Sequence, residues 1–240
     1  MRKLTLILIL VMLAISNIFS QTRPSVFVKW APASLAVGKV TVGSEINFTR
    51  KSSIDVMIGI PSAKTHTIEY DDKESDIESK ALSALIGYRY YLGKRSARGV
   101  YLEPYAKYLR HEAAGVLEGD LGDRSTKMDT RTKYEAFGLG AQMGVQFMLF
   151  KRVSFDFYFL GFEANSAKVQ IRAKDIANSI PWTFDQAEEA QWDIEDAIED
   201  IPYLKDKVNV SVNRANKSMD TDFKGFLPGL RFGASIGFRF

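Results

Sequence analysis

Over most of its length this chain alternates apolar and polar residues with a period of two, and nothing else in it constrains the fold as strongly. Val40, Val42, Ile46 and Phe48 interleave with Lys39, Thr41, Gly43, Glu45 and Asn47. After Arg50-Lys51-Ser52-Ser53 the pattern resumes, with Ile54, Val56, Ile58 and Ile60 set against Asp55, Met57 and Gly59. Further runs extend from Leu82 to Leu92, Val100 to Tyr108, Phe137 to Leu149, Val153 to Phe159 and Phe226 to Phe240. Successive side chains of a strand point to opposite faces, so each run is expected to be a strand with one apolar and one polar face. These runs make seven clear strands, and Val26-Phe27-Val28-Lys29-Trp30 supplies a weaker eighth.

The N-terminus reads as a targeting segment. Arg2 and Lys3 precede an apolar run from Leu4 to Ile15, and Ser16-Asn17-Ile18-Phe19-Ser20 follows. A positive start, a short apolar stretch and a small residue at the end describe a cleaved signal peptide over 1–20. The run of about 12 residues is too short to span a bilayer as a helix, which takes about 20. The mature chain is then expected to cover 21–240 and to be exported.

Composition closes off several alternatives. Of 240 residues, 46% are apolar and 25% charged, which excludes wholesale disorder. The absence of cysteine excludes disulfides and thiolate chemistry. A net charge of +3 is too small to indicate a nucleic-acid partner.

A soluble β-sandwich also alternates, so the second face has to discriminate. It is rich in Gly, Ser, Gln and Tyr. In mid-strand it also carries Glu45, Asp55, Arg89, Glu103, Lys107, Asp156, Arg231 and Arg239. On a sandwich these would be solvated. Inside a small barrel they would be enclosed, and enclosed charges have to pair. Connection lengths favour the barrel. Short links at 50–53, 93–98 and 150–152 alternate with long ones at 61–80, 111–130 and 171–222. Outer-membrane barrels have this asymmetry, with short periplasmic turns and long extracellular loops. The first connection, around Pro32 to Gly38, is also placed outside.

The chain ends Gly237-Phe238-Arg239-Phe240, which puts two rings on one face at the strand terminus. In its architecture the mature chain resembles the small eight-stranded outer-membrane barrels of Gram-negative bacteria, the OmpA/OmpX-like type. The segments Gly87-Tyr88-Arg89-Tyr90-Tyr91-Leu92-Gly93 and Gly99-Val100-Tyr101-Leu102-Glu103-Pro104-Tyr105 resemble hairpins of uncharacterised members. The resemblance implies an all-β, antiparallel, up-and-down transmembrane barrel. It also implies that Phe238 and Phe240 form the signal read by the barrel-insertion machinery, and that outer-membrane lipid surrounds the protein.

Function is expected in the long loops. Loop 61–80 carries Glu69, Asp71, Asp72, Glu74, Asp76 and Glu78, which reads as a solvated acidic loop. The acids and glycines of 111–130 do not have the spacing of an EF-hand, and no cofactor or metal is indicated. In 171–222, Thr183-Phe184-Asp185-Gln186 reads as a capping box opening a helix over about 183–201. Phe184, Ala187, Gln191, Ile194, Ile198 and Ile201 recur at helical spacing, with Trp192 beside them, and the other face is acidic. The stripe packs on the barrel or on Val208 to Val212, or else it docks a protein partner.

Catalytic signatures are missing. His66 and His111 are the two histidines, and no P-loop or HExxH motif accompanies them. An eight-stranded barrel is just wide enough to be filled by its own side chains, and Tyr91, Tyr101, Tyr105 and Tyr158 would point inward. The expectation is a non-porin, non-enzymatic barrel that serves as envelope scaffold, adhesin or accessory subunit. The alternative is a protein that binds lipid or a small ligand at the outer rim, or a lipid-modifying hydrolase there.

Overall fold

The computed structural model describes residues 24–70, 73–95, 97–121, 124–199 and 207–240. The expected signal segment 1–20 lies outside them. The strands are β1 (Ser25–Ala31), β2 (Lys39–Asn47), β3 (Ser52–Pro61), β4 (Lys64–Tyr70) and β5 (Lys73–Tyr91). They continue as β6 (Gly99–Leu121), β7 (Arg124–Leu149), β8 (Val153–Asp175), β9 (Val208–Asn213) and β10 (Ser218–Arg239). One helix, α1 (Phe184–Glu199), lies between β8 and β9. The described residues are all-β apart from α1 and a 3₁₀ turn at Pro32–Val37.

Eight strands, in the order β1-β2-β3-β5-β6-β7-β8-β10, form an antiparallel ring closed by β10 pairing with β1. Closure brings Phe27 opposite Arg239 and Trp30 opposite Ile236. The Phe240 amide adds a hydrogen bond of 2.9 Å to the Val26 carbonyl. Closing the ring removes the unpaired edges that an open sheet would expose.

Short turns join the strands at the end where both termini lie. In the β7–β8 hairpin, Phe150 and Lys151 both adopt positive φ, 50° and 62°. That is the conformation a two-residue turn of the I′ type needs to match the strand twist. The first turn is tied instead by Thr49 Oγ1, which accepts from the Ser52 amide at 2.9 Å and the Lys51 amide at 3.2 Å.

At the other end the strands are far longer than expected. The segments 61–80 and 111–130 are not loops. They belong to the β4–β5 and β6–β7 hairpins, which run on in register until Tyr70 pairs with Lys73 and Leu121 with Arg124. β6, β7 and β8 have 23, 26 and 23 residues, whereas about 9–11 suffice to cross a membrane. Apart from one bulge in β8 the period of two continues, and the two faces exchange polarity. Near the termini the inward residues are polar, such as Gln142 and Gln146 on β7. Higher up, the inward face of β8 carries Ala167, Val169, Ile171 and Ala173. The outward face there carries Lys168, Gln170, Arg172 and Lys174. Charges on every second residue read as loop when only an apolar outer face is sought.

These extensions leave β1–β3 behind and make a curved wall of β4-β5-β6-β7-β8-β10-β9. On the terminal side the outward face of the ring is apolar, including Val28, Ile46, Ile58, Ile86, Leu102 and Phe157.

Candidate functional site

Two features share the interior: a plug of charges across the barrel and an apolar cavity beyond it. The plug centres on Lys29 and Arg89, both buried. Lys29 Nζ lies 2.5 Å from Glu45 Oε2, 3.1 Å from Asp156 Oδ2 and 3.3 Å from Asp55 Oδ1. Arg89 reaches the same three acids at 3.4, 2.7 and 3.3 Å, and its Nε lies 2.8 Å from Glu103 Oε2. Tyrosines complete the carboxylate shells. Tyr91 donates to Glu45 at 2.5 Å and Tyr101 to Asp156 at 2.6 Å. Gln142 donates to Glu103 at 2.9 Å, and Arg231 donates to Gln142 at 2.9 Å, passing the network upward. Above it Lys107 pairs with Glu163, which also accepts from Tyr105 at 3.0 Å.

Glycines make the room for this packing. Tyr101 faces Gly144 across the β6–β7 ladder, and Tyr105 faces Gly140. A methyl group added at Gly144 would stand 2.3 Å from the Tyr101 ring, and one at Gly87 would stand 2.0 Å from Glu103 Oε1. Alternate small and large inward residues are what let side chains fill a narrow barrel.

The structure brings together seven of the eight expected lumen charges: Glu45, Asp55, Arg89, Glu103, Asp156, Lys107 and Arg231. Arg239 is a correction. It is exposed at the terminal mouth, 5.9 Å over the Phe27 ring, because the last inward position of β10 opens to water. Its place in the network belongs to Lys29, on the strand with the weakest pattern. Glu163 was missed too. Leu160, at φ 52°, sits at a bulge where Met143 pairs with Phe159 but Ala141 pairs with Phe162. That extra residue shifts the inward positions of β8 from even to odd numbers.

At the ring's seam Phe238 and Phe240 face outward with ring centroids 5.3 Å apart. His111 is half-buried on β6, opposite Ala81 and Tyr134. Burial, then the Lys39 ammonium and His66, hold its imidazole below the ordinary histidine range. Ser154 is buried near the terminal end, far from it.

The helix caps the far end. Thr183 and Gln186 form a reciprocal capping box, with bonds of 3.1 and 3.2 Å. Trp182 is buried before it and donates from its indole to Asp175 at 3.1 Å. Trp182 and Ala190 pack with Met128, Ala187, Val212 and Met219. The buried side of α1 therefore includes Ala187 and Ala190, with Ile194 half-buried. Phe184 and Trp192 are 74% and 64% exposed, and Gln191 is exposed and bonded to Glu195. The expected stripe is thus split: Phe184 and Gln191 leave it, because Ala190 and Trp182 hold a different face of the helix against the wall. The side chain of Ile198, and Ile201 altogether, lie outside the described residues. Between α1 and the wall remains an apolar cavity of about 520 Å³.

Residues 5–174 match the model of a family described as a protein of unknown function, DUF3575, and the chain belongs to that family. No curated protein matches the sequence. Among solved structures, CarO of Acinetobacter baumannii is similar with a TM-score of 0.41 and 9% identity, over 90% of this chain and 96% of that one.

Proposed function

We propose that this protein is a closed, non-conducting outer-membrane β-barrel of the small eight-stranded kind, resembling the OmpA/OmpX-like type, with its curved wall outside the cell. Its role is structural or interactive rather than catalytic: envelope scaffold, adhesin or accessory subunit. The observation that carries this reading is the plug. Lys29, Arg89 and four carboxylates cross the ring together with two tyrosines, all buried, inside a barrel that eight strands barely open. The apolar outward belt is what a lipid surface would cover. Both termini and the short turns then lie on the periplasmic side. The exposed Phe184 and Trp192 on an acidic helix supply the candidate surface for a protein partner.

Two measurements test the proposal. Purified chain inserted into planar bilayers is expected to give no steps above the bare membrane, and resolved ohmic channels would overturn the closed reading. In cells, protease added from outside is expected to cut within 176–216 and to spare the ring. Cleavage only after outer-membrane rupture would reverse the orientation.

A further inference from the structure

The cavity under α1 is built by an unusual choice of residues. Its wall is the inward face of the extended strands, with Leu117, Met128, Ile171 and Phe223 among its lining. A helix laid against such a wall would ordinarily fill it with large side chains. Here α1 turns Ala187, Ala190 and the half-buried Ile194 toward the wall, while Phe184 and Trp192 are exposed. Among the described residues, α1 borders this partly open space with Ala190, Asp193 and Ile194 and leaves room between itself and the wall. Apolar cavities do not hold water well but do accept apolar guests. At about 520 Å³ the space falls within the usual range for small-molecule sites, roughly 300–1,000 Å³.

The rim narrows the chemistry. Glu118, Asp120 and Asp193 border the cavity, and no basic side chain lines it among the described residues. Lys127 and Lys73 pair with Glu118 and Asp120, so those two acids are largely neutralised. Asp193 adds to the acidic face of α1, with Asp185, Glu188, Glu189, Glu195 and Asp196 beside it. An anionic end entering past this helix would be repelled.

We propose that the cavity between α1 and the wall binds a hydrophobic small molecule whose polar end is neutral or cationic, and that it discriminates against carboxylates. This rests on the wall being the extracellular part of a closed barrel, and it goes beyond that reading by naming a ligand class. The polarity switch along each long strand then has a purpose. The same inward face makes a charged plug below and a ligand cup above.

The test uses the full chain in zwitterionic nanodiscs and the neutral dye N-phenyl-1-naphthylamine, whose emission rises in apolar surroundings. Binding is expected to saturate above the linear uptake of empty discs. Ala173→Phe on the wall and Ala190→Phe on the helix, which fill the space from opposite sides, should each weaken it at least tenfold. Arg131→Ala on the outward face should leave it unchanged. Dodecan-1-ol and dodecylamine should displace the dye, with dodecanoate at least tenfold less effective. Folding of each variant is read by the shift in gel mobility on heating, and only variants that keep the shift are scored. No saturable binding, or binding indifferent to both filling variants, would overturn the site. Equal displacement by dodecanoate would overturn the ligand class. The mobility shift and the bilayer recording report the closed barrel separately, so an empty cavity would leave that reading standing.

Discussion

Replacing Lys29 with methionine tests the plug most directly. Methionine keeps the length of the apolar stem and removes the ammonium. In the wild type that ammonium lies 2.5–3.3 Å from three carboxylates, all buried. At an effective dielectric of about 20, each contact near 3 Å has a gross attraction of about 5 kcal/mol. Desolvating the ammonium and its repulsion from Arg89 take back most of that sum. What the variant loses is set by the other side of the pair. Glu45, Asp55 and Asp156 stay buried, and among the described residues Arg89 becomes the one cation touching all of them. Stranding a buried ionic partner typically costs about 3–5 kcal/mol. Lys29→Met should therefore lower the unfolding free energy by about 3–5 kcal/mol. Urea titration of the protein in lipid vesicles, followed by tryptophan emission, measures it. Adding Glu45→Gln to Lys29→Met should recover part of the loss, because it removes one stranded charge. A single variant within about 0.5 kcal/mol of wild type, or a double variant destabilised by the plain sum, would refute the view that these charges act as one network.

Three further outcomes follow from the same geometry. Gly144→Ala pushes a methyl group into the Tyr101 ring and should cost about 1–3 kcal/mol in the same titration, with Tyr101→Phe giving little relief because the ring is the obstacle. Deleting Phe240 removes an outward ring and the amide that bonds Val26 across the seam, so the yield of heat-modifiable barrel should fall several-fold in cells while the remaining protein keeps its stability. Burial works against the charge of Asp175, but the Ala177 amide, the Trp182 indole and Lys217 outweigh it and hold its carboxyl below the ordinary range. A lowered carboxyl stabilises the fold above its ordinary pKa of about 4 and loses that contribution as pH falls further. In a chain whose only tryptophan is Trp182, emission should therefore shift to the red below about pH 4, and Asp175→Asn should remove that transition.

The network was legible in part, and the misses have physical causes. The inward placement of Glu45, Asp55, Arg89, Glu103 and Asp156 follows from parity along strands with an apolar outer face. Lys29 escaped because β1 is only 7 residues long, which gives its pattern little support. Glu163 escaped because a bulge is a count mismatch between two strands, and the mismatch appears only once the strands are paired. The extended hairpins escaped for a different reason. Beyond the apolar belt the outward residues become charged and the inward ones apolar, so a search for one fixed polarity stops at the switch. The alternation itself was a sufficient signal.

The sequence by itself determined the strands of the ring, their inward and outward faces as far as the β8 bulge, and the short turns, because each depends on neighbours one or two residues apart. Tertiary structure decided what those faces enclose. Lys29 and Asp156 are brought within 3.1 Å from 127 positions apart, and the rotation of α1 depends on Trp182 and Ala190 meeting Met128, Val212 and Met219. A charge network and a cavity are properties of residues that share space without sharing sequence. Ring closure and the register of β6 through β10 are what bring those residues together.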